Sequence, residues 1–270
     1  MPEGHTVHRT ANDFNQYFAG RVLRLDSPQG RFEAGAALVS GQVLIKARAI
    51  GKQLFLDFDS GLTVRIHLGI YGKWRLIHGD DPVLHALTTP VIGQVRARFF
   101  NETSMAELRG PTVCEVQTPE EAAAVAKRLG PDPLNPDPKG LEAERFRARV
   151  QRSATPIGLL LMNQEVISGI GNVYRAEILF RAKIDPYTPG NRLTAEQVAE
   201  IWADSVALLK IGVKTGIMIT IDGLAKKRLT KAERNFVYKR EGQDCRVCGT
   251  TVSLAMAAGR KLYFCTGCQK

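Results

Sequence analysis

Apolar residues fall at Val7, Ala11, Phe14 and Phe18, in steps of four, three and four. That spacing predicts an amphipathic helix starting near Gly4 and closed by Gly20. Short runs of β character follow at 21–25, 42–49, 53–58, 62–68, 73–77, 94–100 and 105–108. Asp59-Ser60-Gly61 reads as a tight hairpin turn between two of them. Many short strands broken by Gly, Asp and Pro predict an antiparallel β-sandwich or barrel over residues 1–116. From Gln117 the texture changes. Residues 120–129 read as a short helix, and 130–140 then packs four prolines into eleven residues. Such a segment suits neither helix nor central strand, so 117–140 reads as an interdomain linker. Helical patterns return at 142–152, 157–162, 173–182 and 195–209. Thr194 with Gln197 three residues on makes a capping-box pair before the last of these. The expectation is an α+β multidomain chain: a β domain at 1–116, a helical domain at 141–234, and a small cysteine-bearing module at 235–270.

Composition narrows the class without identifying it. The 270 residues are 44% hydrophobic and 24% charged, the balance of a globular protein with real cores. No apolar run approaches the roughly 18 residues of a membrane span, and no basic-then-apolar leader is apparent. The expectation is a cytosolic protein with no membrane partner. The formal net charge is +10, and residues 226–270 alone carry eleven Lys/Arg against Glu233, Glu241 and Asp244. A basic excess of this kind points to a polyanion partner or to a solvated tail.

The same tail carries four of the chain's five cysteines. Cys245, Cys248, Cys265 and Cys268 form C-x2-C-x16-C-x2-C, two close pairs joined by a hairpin-length spacer. Four thiolates so spaced can surround one structural Zn(II) ion tetrahedrally, and disulfides are not expected in a reducing compartment. Cys114 stands apart and reads as a buried core thiol.

Two further stretches carry chemistry. Gly169-Ile170-Gly171-Asn172 precedes a helical run, so its glycines allow close backbone approach and its amides suit a phosphate; an ordinary tight turn is the alternative. At the other stretch, Met1-Pro2-Glu3-Gly4, removal of Met1 would expose the secondary amine of Pro2 beside a carboxylate. At the positive end of a helix the neutral, nucleophilic amine is favoured over the ammonium.

Met1-Pro2-Glu3-Gly4, then Gly169-Ile-Gly-Asn-Val-Tyr174, then the four-cysteine ribbon occur here in the order seen in the formamidopyrimidine-DNA glycosylase / endonuclease VIII family. The resemblance spans essentially the whole chain. It implies a two-sheet antiparallel β-sandwich, a helical domain with a helix–two-turn–helix, and a zinc finger, in a monomer of the bacterial cytoplasm that is nucleoid-associated when bound. It implies a bifunctional enzyme of base excision repair, with damaged DNA, duplex or single-stranded, as partner. Residue by residue, Pro2 resembles the family nucleophile that attacks C1′, and Glu3 the acid that assists sugar-ring opening. Lys52, in Ile50-Gly-Lys-Gln-Leu54, resembles the β-domain lysine near the lesion phosphate, and His67 a second phosphate contact. Asn172 matches the helix–two-turn–helix asparagine. Arg260, in Gly259-Arg-Lys-Leu-Tyr-Phe-Cys265, matches the finger-tip arginine. Ile70 and Tyr71, in the loop after His67, correspond to the wedge that fills the space of an extruded base. An apolar residue followed by tyrosine there resembles the endonuclease VIII branch. The other branch's Arg-Arg-Phe-Gly is missing from Glu107-Leu-Arg-Gly-Pro111, so oxidised pyrimidines and hydantoins are expected rather than 8-oxoguanine, with β,δ-elimination at the resulting abasic site.

Taken singly, each residue has a plainer reading: Lys52 as a solvated strand lysine, His67 as a satisfied core histidine, Arg260 as a hairpin-tip charge. The chain also departs from the family by placing His5-Thr6 where Pro-Glu is common, and Thr6 cannot act as a carboxylate base. Two non-enzymatic classes stand beside the leading one: a DNA-binding zinc-ribbon module and an RNA-binding zinc-ribbon protein. Neither requires Glu3 beside Pro2.

Overall fold

A computed structural model describes residues 2–223, 229–230 and 233–270, so Met1 and the start of the basic tail lie outside the described residues. The chain divides into two compact units, one of Pro2 and Thr6–Arg128, the other of Glu3–His5 and Leu129–Lys270.

In the first unit, helix α1 (Gly4–Tyr17) begins where the apolar spacing places it. Val7, Ala11, Phe14 and Phe18 are all buried, and Gly20 takes the left-handed conformation that ends the stretch. The strands are β1 (Val22–Asp26), β2 (Gln42–Ile50), β3 (Gln53–Phe58), β4 (Thr63–His67), β5 (Lys73–His78), β6 (Val95–Phe100), β7 (Ser104–Arg109) and β8 (Val113–Gln117). All pair antiparallel, in the order β5-β7-β6-β1-β2-β3-β4-β8. The two expected sheets are thus joined in one ladder that divides at β1. Val22 and Leu23 pair with β2, whereas Arg24, Leu25 and Asp26 pair with β6. A strand that changes partners midway turns the corner of a sandwich. The two halves share one core, in which Phe99, Ala106 and Leu108 join Leu44, Leu54, Leu56, Val64 and Ile66 around the apolar face of α1.

Three elements escape the sequence pattern. Helices α2 (Glu33–Val39) and α3 (Asp80–Thr88) are short, and β8 mixes exposed and half-buried positions with no clean period of two. Helix α4 (Pro119–Arg128) packs Ala122 and Val125 onto Phe55 on the opposite face of β3. Cys114 packs at the edge of the core, and burial pushes its thiol up to about 12, so it is inert.

In the second unit the start of the proline-rich stretch is packed and hydrogen-bonded. Gly130–Pro133 are buried, the Gly130 amide donates to Gln164 O at 2.8 Å, and the Ser168 amide donates to Pro131 O at 2.8 Å. Proline cannot donate, so these carbonyls and flanking amides carry the pairing. Helices α5 (Leu141–Gln151), α6 (Ile157–Leu160), α7 (Asn172–Arg181) and α8 (Ala195–Thr215) follow, with a 3-10 turn at Gly190–Arg192. Between α6 and α7 the chain makes two successive turns, closed by Met162 N to Leu159 O and by Val166 N to Asn163 O, giving the helix–two-turn–helix. Helix α8 starts with the Thr194/Gln197 capping box and runs six residues past the expected end. Its left-handed stop is Gly216, while Gly212 lies inside the helix. Strands β9 (Ser253–Ala257) and β10 (Arg260–Phe264) form the terminal hairpin.

Candidate functional site

Helix α7 is the centre of the second unit. Every residue from Asn172 to Phe180 is buried, including Arg175 and Glu177. Its N-cap, Gly171, has no side chain to satisfy the first amides of the helix. Glu3 does this from a distant part of the sequence. Its Oε2 accepts from Gly171 N at 2.8 Å and Tyr174 N at 3.4 Å, and its Oε1 from Val173 N at 2.9 Å. The carboxylate is fully buried and sits at the positive end of α7. The amides expected to meet a phosphate therefore meet the Glu3 carboxylate, because a buried anion satisfies orphan donors that the N-cap leaves open.

Glycines make this approach possible. A Cβ on Gly171 would lie 2.5 Å from Glu3 Cδ, and one on Gly4 would lie 2.8 Å from Gly169 Cα. Gly4 N also donates to Gly169 O at 2.8 Å, and Gly169 takes φ of 93°. Glu3 and Gly4 are thereby pinned to the turn before α7. Pro2, half-buried, is the next residue back along the chain. Thr6 lies in the first turn of α1 and accepts from Thr10 Oγ1 through its own carbonyl.

Asn172 is the first residue of α7. Its Nδ2 donates to Lys261 O at 2.9 Å, and its Oδ1 accepts from the Arg175 guanidinium. Arg175 donates to the same Lys261 carbonyl at 2.9 Å. Asn172 and Arg175 together clasp the first residues of β10, next to exposed Arg260. Burial first, and then the charge of Arg260, depress the Arg175 guanidinium below its ordinary value. Arg260 itself follows a tight turn in which Ala258 and Gly259 have φ of 48° and 73°.

Glu177 ties the other side of α7 to the chain leading into the hairpin. Its carboxylate accepts from Phe236 N at 2.7 Å, Val237 N at 2.9 Å, Tyr238 N at 2.8 Å and the Thr220 hydroxyl. Burial, the largest influence, raises its pKa against these donors. Sequence reasoning missed Arg175, Glu177 and Gly212. The one signal was two charges inside an otherwise apolar run, and the backbone atoms they bind lie far away in sequence.

The four terminal cysteines converge. Their Sγ atoms all lie within 4.8 Å of one another, with Cys245–Cys268 at 3.8 Å and Cys248–Cys265 at 3.5 Å. Four thiolates at about 2.3 Å from a common centre stand about 3.8 Å apart, so the set fits a tetrahedral metal ion. No other such cluster occurs among the described residues. Cys245 and Cys265 share an apolar cluster with Ala176 and Phe180 of α7, and Gln269 Nε2 donates to Ile184 O at 2.9 Å. The module is built onto α7 and is not a separate bead.

The first unit holds the remaining candidates. Lys52 sits in the turn between β2 and β3. His67, at the end of β4, has its Nδ1 3.0 Å from Lys52 O. A carbonyl only accepts, so Nδ1 carries the proton and Nε2 is the atom left to meet a ligand. Ile70 and Tyr71 project from the following loop, 60% and 85% exposed. The loop base is fixed by Gly72 N to Leu68 O at 2.9 Å and Thr112 N to His67 O at 2.9 Å. Two large side chains are thus held outward on a turn whose base is fixed.

Comparison with known proteins matches this arrangement. The family model described as the formamidopyrimidine-DNA glycosylase N-terminal domain matches residues 1–117, and the one described as its H2TH domain matches 129–222. Endonuclease 8 1 of Mycobacterium tuberculosis is 42% identical over the full length of both chains. The formamidopyrimidine-DNA glycosylase of Thermus thermophilus is 29% identical, over 100% of this chain and 98% of that one. Among solved structures, the Lactococcus lactis glycosylase non-covalently bound to DNA with an AP site superimposes with a TM-score of 0.81, at 21% identity and 99% coverage of both chains. At that identity the likeness is one of fold. Among the described residues no helix is long and apolar enough to cross a membrane.

Proposed function

The chain belongs to the formamidopyrimidine-DNA glycosylase / endonuclease VIII family of base-excision-repair DNA glycosylases with AP-lyase activity, and we propose that its chemistry begins at the Pro2 amine. The observation that carries this is the buried Glu3 carboxylate, held on the α7 amides next to Pro2. A DNA-binding module that performs no reaction could use this carboxylate as the cap of α7, but would not need it beside the N-terminal amine.

The Pro2 nitrogen forms a bond to C1′ of the damaged nucleotide as the C1′–base bond breaks; the amine's N–H proton passes to the Glu3 carboxylate, and the departing base takes a proton from water. The C1′–O4′ bond then opens and O4′ takes the proton that Glu3 has gained. A secondary amine so attached leaves an iminium, positive without needing a proton of its own. That cation draws electrons from C2′, a 2′ proton is lost, and the 3′ phosphate departs. A second elimination releases the 5′ phosphate. Lys52, His67 and Arg260 supply phosphate donors, which set register and do not read sequence. Asn172 adds a further side-chain donor for phosphate, beside the β10 start that it clasps. Ile70 and Tyr71 fill the space of the extruded base. Zn(II) in the four-cysteine set supplies folding energy to the finger and takes no part in the reaction.

Oxidised pyrimidines and hydantoins are the proposed lesions. The Ile70-Tyr71 wedge, the Glu107–Pro111 sequence and the 42% identity to an endonuclease 8 all favour that branch. Borohydride trapping on DNA with an abasic site or an oxidised pyrimidine tests the mechanism. The expected result is a covalent adduct from demethionylated protein that disappears with Pro2→Gly. An undiminished adduct from Pro2→Gly refutes it, and faster excision of 8-oxoguanine than of oxidised pyrimidines refutes the lesion assignment.

A further inference from the structure

Gly212 lies inside α8, four residues before the glycine that ends the helix. Glycine in a helix interior is unfavourable relative to alanine, so a reason for it is expected in what it touches. A Cβ built there would meet His5 Cγ at 2.7 Å, His5 Cβ at 2.8 Å and the Tyr174 hydroxyl oxygen closer still. The His5 and Tyr174 rings are both buried and meet edge to face, with centroids 5.4 Å apart at 85°. Tyr174 belongs to the turn of α7 whose amide Glu3 holds. Its hydroxyl reaches Leu208 O of α8 at 3.4 Å, and burial together with the Glu3 charge keeps it protonated. The start of α1 is therefore wedged between two helices. Glu3 grips the N-terminus of α7, and His5 seats against α8 at a position where that helix has no side chain.

We propose that Gly212 is a positioning residue for the Pro2 amine, acting through the His5–Tyr174 ring pair; this rests on the reading of Pro2 as nucleophile. His5 Cβ and Cγ are bonded close to the backbone, so a group at position 212 cannot be accommodated by swinging a distant side-chain end. It displaces the α1 start, and Pro2 is three residues away on the same start. Displacement of a reacting atom by the order of an ångström slows a reaction by about 100-fold while leaving binding made elsewhere intact.

The test is single-turnover borohydride trapping on an abasic duplex at saturating zinc-loaded protein. It is read beside the Kd for a duplex with a tetrahydrofuran abasic analogue and the thermal midpoint. Gly212→Ala is expected to trap about 100-fold more slowly, with the Kd within about threefold of the unaltered protein. His5→Gly, which removes the seated side chain without adding atoms, is expected to trap about tenfold more slowly. In the double variant the methyl added at position 212 no longer meets the imidazole and meets only the far end of Tyr174, so it should slow trapping by clearly less than the factor it costs in the presence of His5. Trapping by Gly212→Ala at the unaltered rate overturns the proposal. So does a Gly212→Ala defect that multiplies undiminished onto His5→Gly, or a loss of DNA binding equal to the loss of rate. If Gly212→Ala fails to fold, His5→Gly decides: an unaltered rate overturns the proposal. Pro2→Gly separates the two levels, since an undiminished adduct from that variant refutes the nucleophile and not the contact at Gly212.

Discussion

Replacing Glu3 by alanine should cost the enzyme more than the proposed proton donor. Two of the three α7 amides that Glu3 accepts lie at 2.8 and 2.9 Å, and the third, at 3.4 Å, is too long to count for much. Hydrogen bonds to a charged partner are worth about 1.5–3 kcal/mol each, and here the orphaned donors would be buried without replacement. The expected loss is about 3–6 kcal/mol, concentrated at the α7 N-terminus. A typical domain has only about 5–15 kcal/mol in total, so the loss is large. Glu3→Gln keeps one acceptor but turns an NH2 group toward the other donor, and should lose about half as much. The chain has two units, so a single global midpoint mixes two events. Native-state hydrogen exchange at the Gly171 and Val173 amides reads the effect locally. Unchanged protection of both amides in Glu3→Ala would refute the reasoning. It would also restore the simpler view that inactivity of this variant reports chemistry alone.

Gly171→Ala places a methyl 2.5 Å from Glu3 Cδ, so trapping on abasic DNA should fall by about 100-fold although no reacting group is altered. Removing zinc by chelation should release the β9–β10 hairpin and expose Phe180, which packs with Cys245 and Cys265; dye binding should rise and DNA affinity fall together. Glu177→Ala leaves three backbone amides and the Thr220 hydroxyl without their acceptor, so zinc should be lost to a competing chelator faster than from Glu177→Gln, which keeps one oxygen. Affinity for abasic DNA should drop steeply between about 50 and 200 mM salt, on the order of 1,000-fold if about six phosphates are neutralised, and a flat profile would contradict phosphate-led binding.

Much of the architecture was legible in the sequence because it rests on local rules. The α1 face, the strand runs, the Thr194 cap and the cysteine spacing all depend on residues a few positions apart, and each appears where the pattern places it. Elements with weak periods were not legible. Helix α3 and strand β8 are shaped by neighbours in the sheet and not by their own alternation. The burial of residues 130–133 in the proline-rich stretch was not legible either, since composition forbids helix and strand there but says nothing about burial.

The site divides along the same line. Pro2, Glu3, the Gly-Ile-Gly-Asn turn and the cysteines could be named from residue type and order alone. What each side chain binds was decided only by tertiary structure. The turn's amides hold Glu3, Asn172 and Arg175 hold the Lys261 carbonyl, and Glu177 holds the backbone of Phe236–Tyr238. Backbone amides and carbonyls are the same at every position, so no sequence pattern marks which of them a buried polar group will find. Gly212 is the sharpest case: in the sequence it lies just past the expected end of its helix, and in the fold it is the space that His5 and Tyr174 fill.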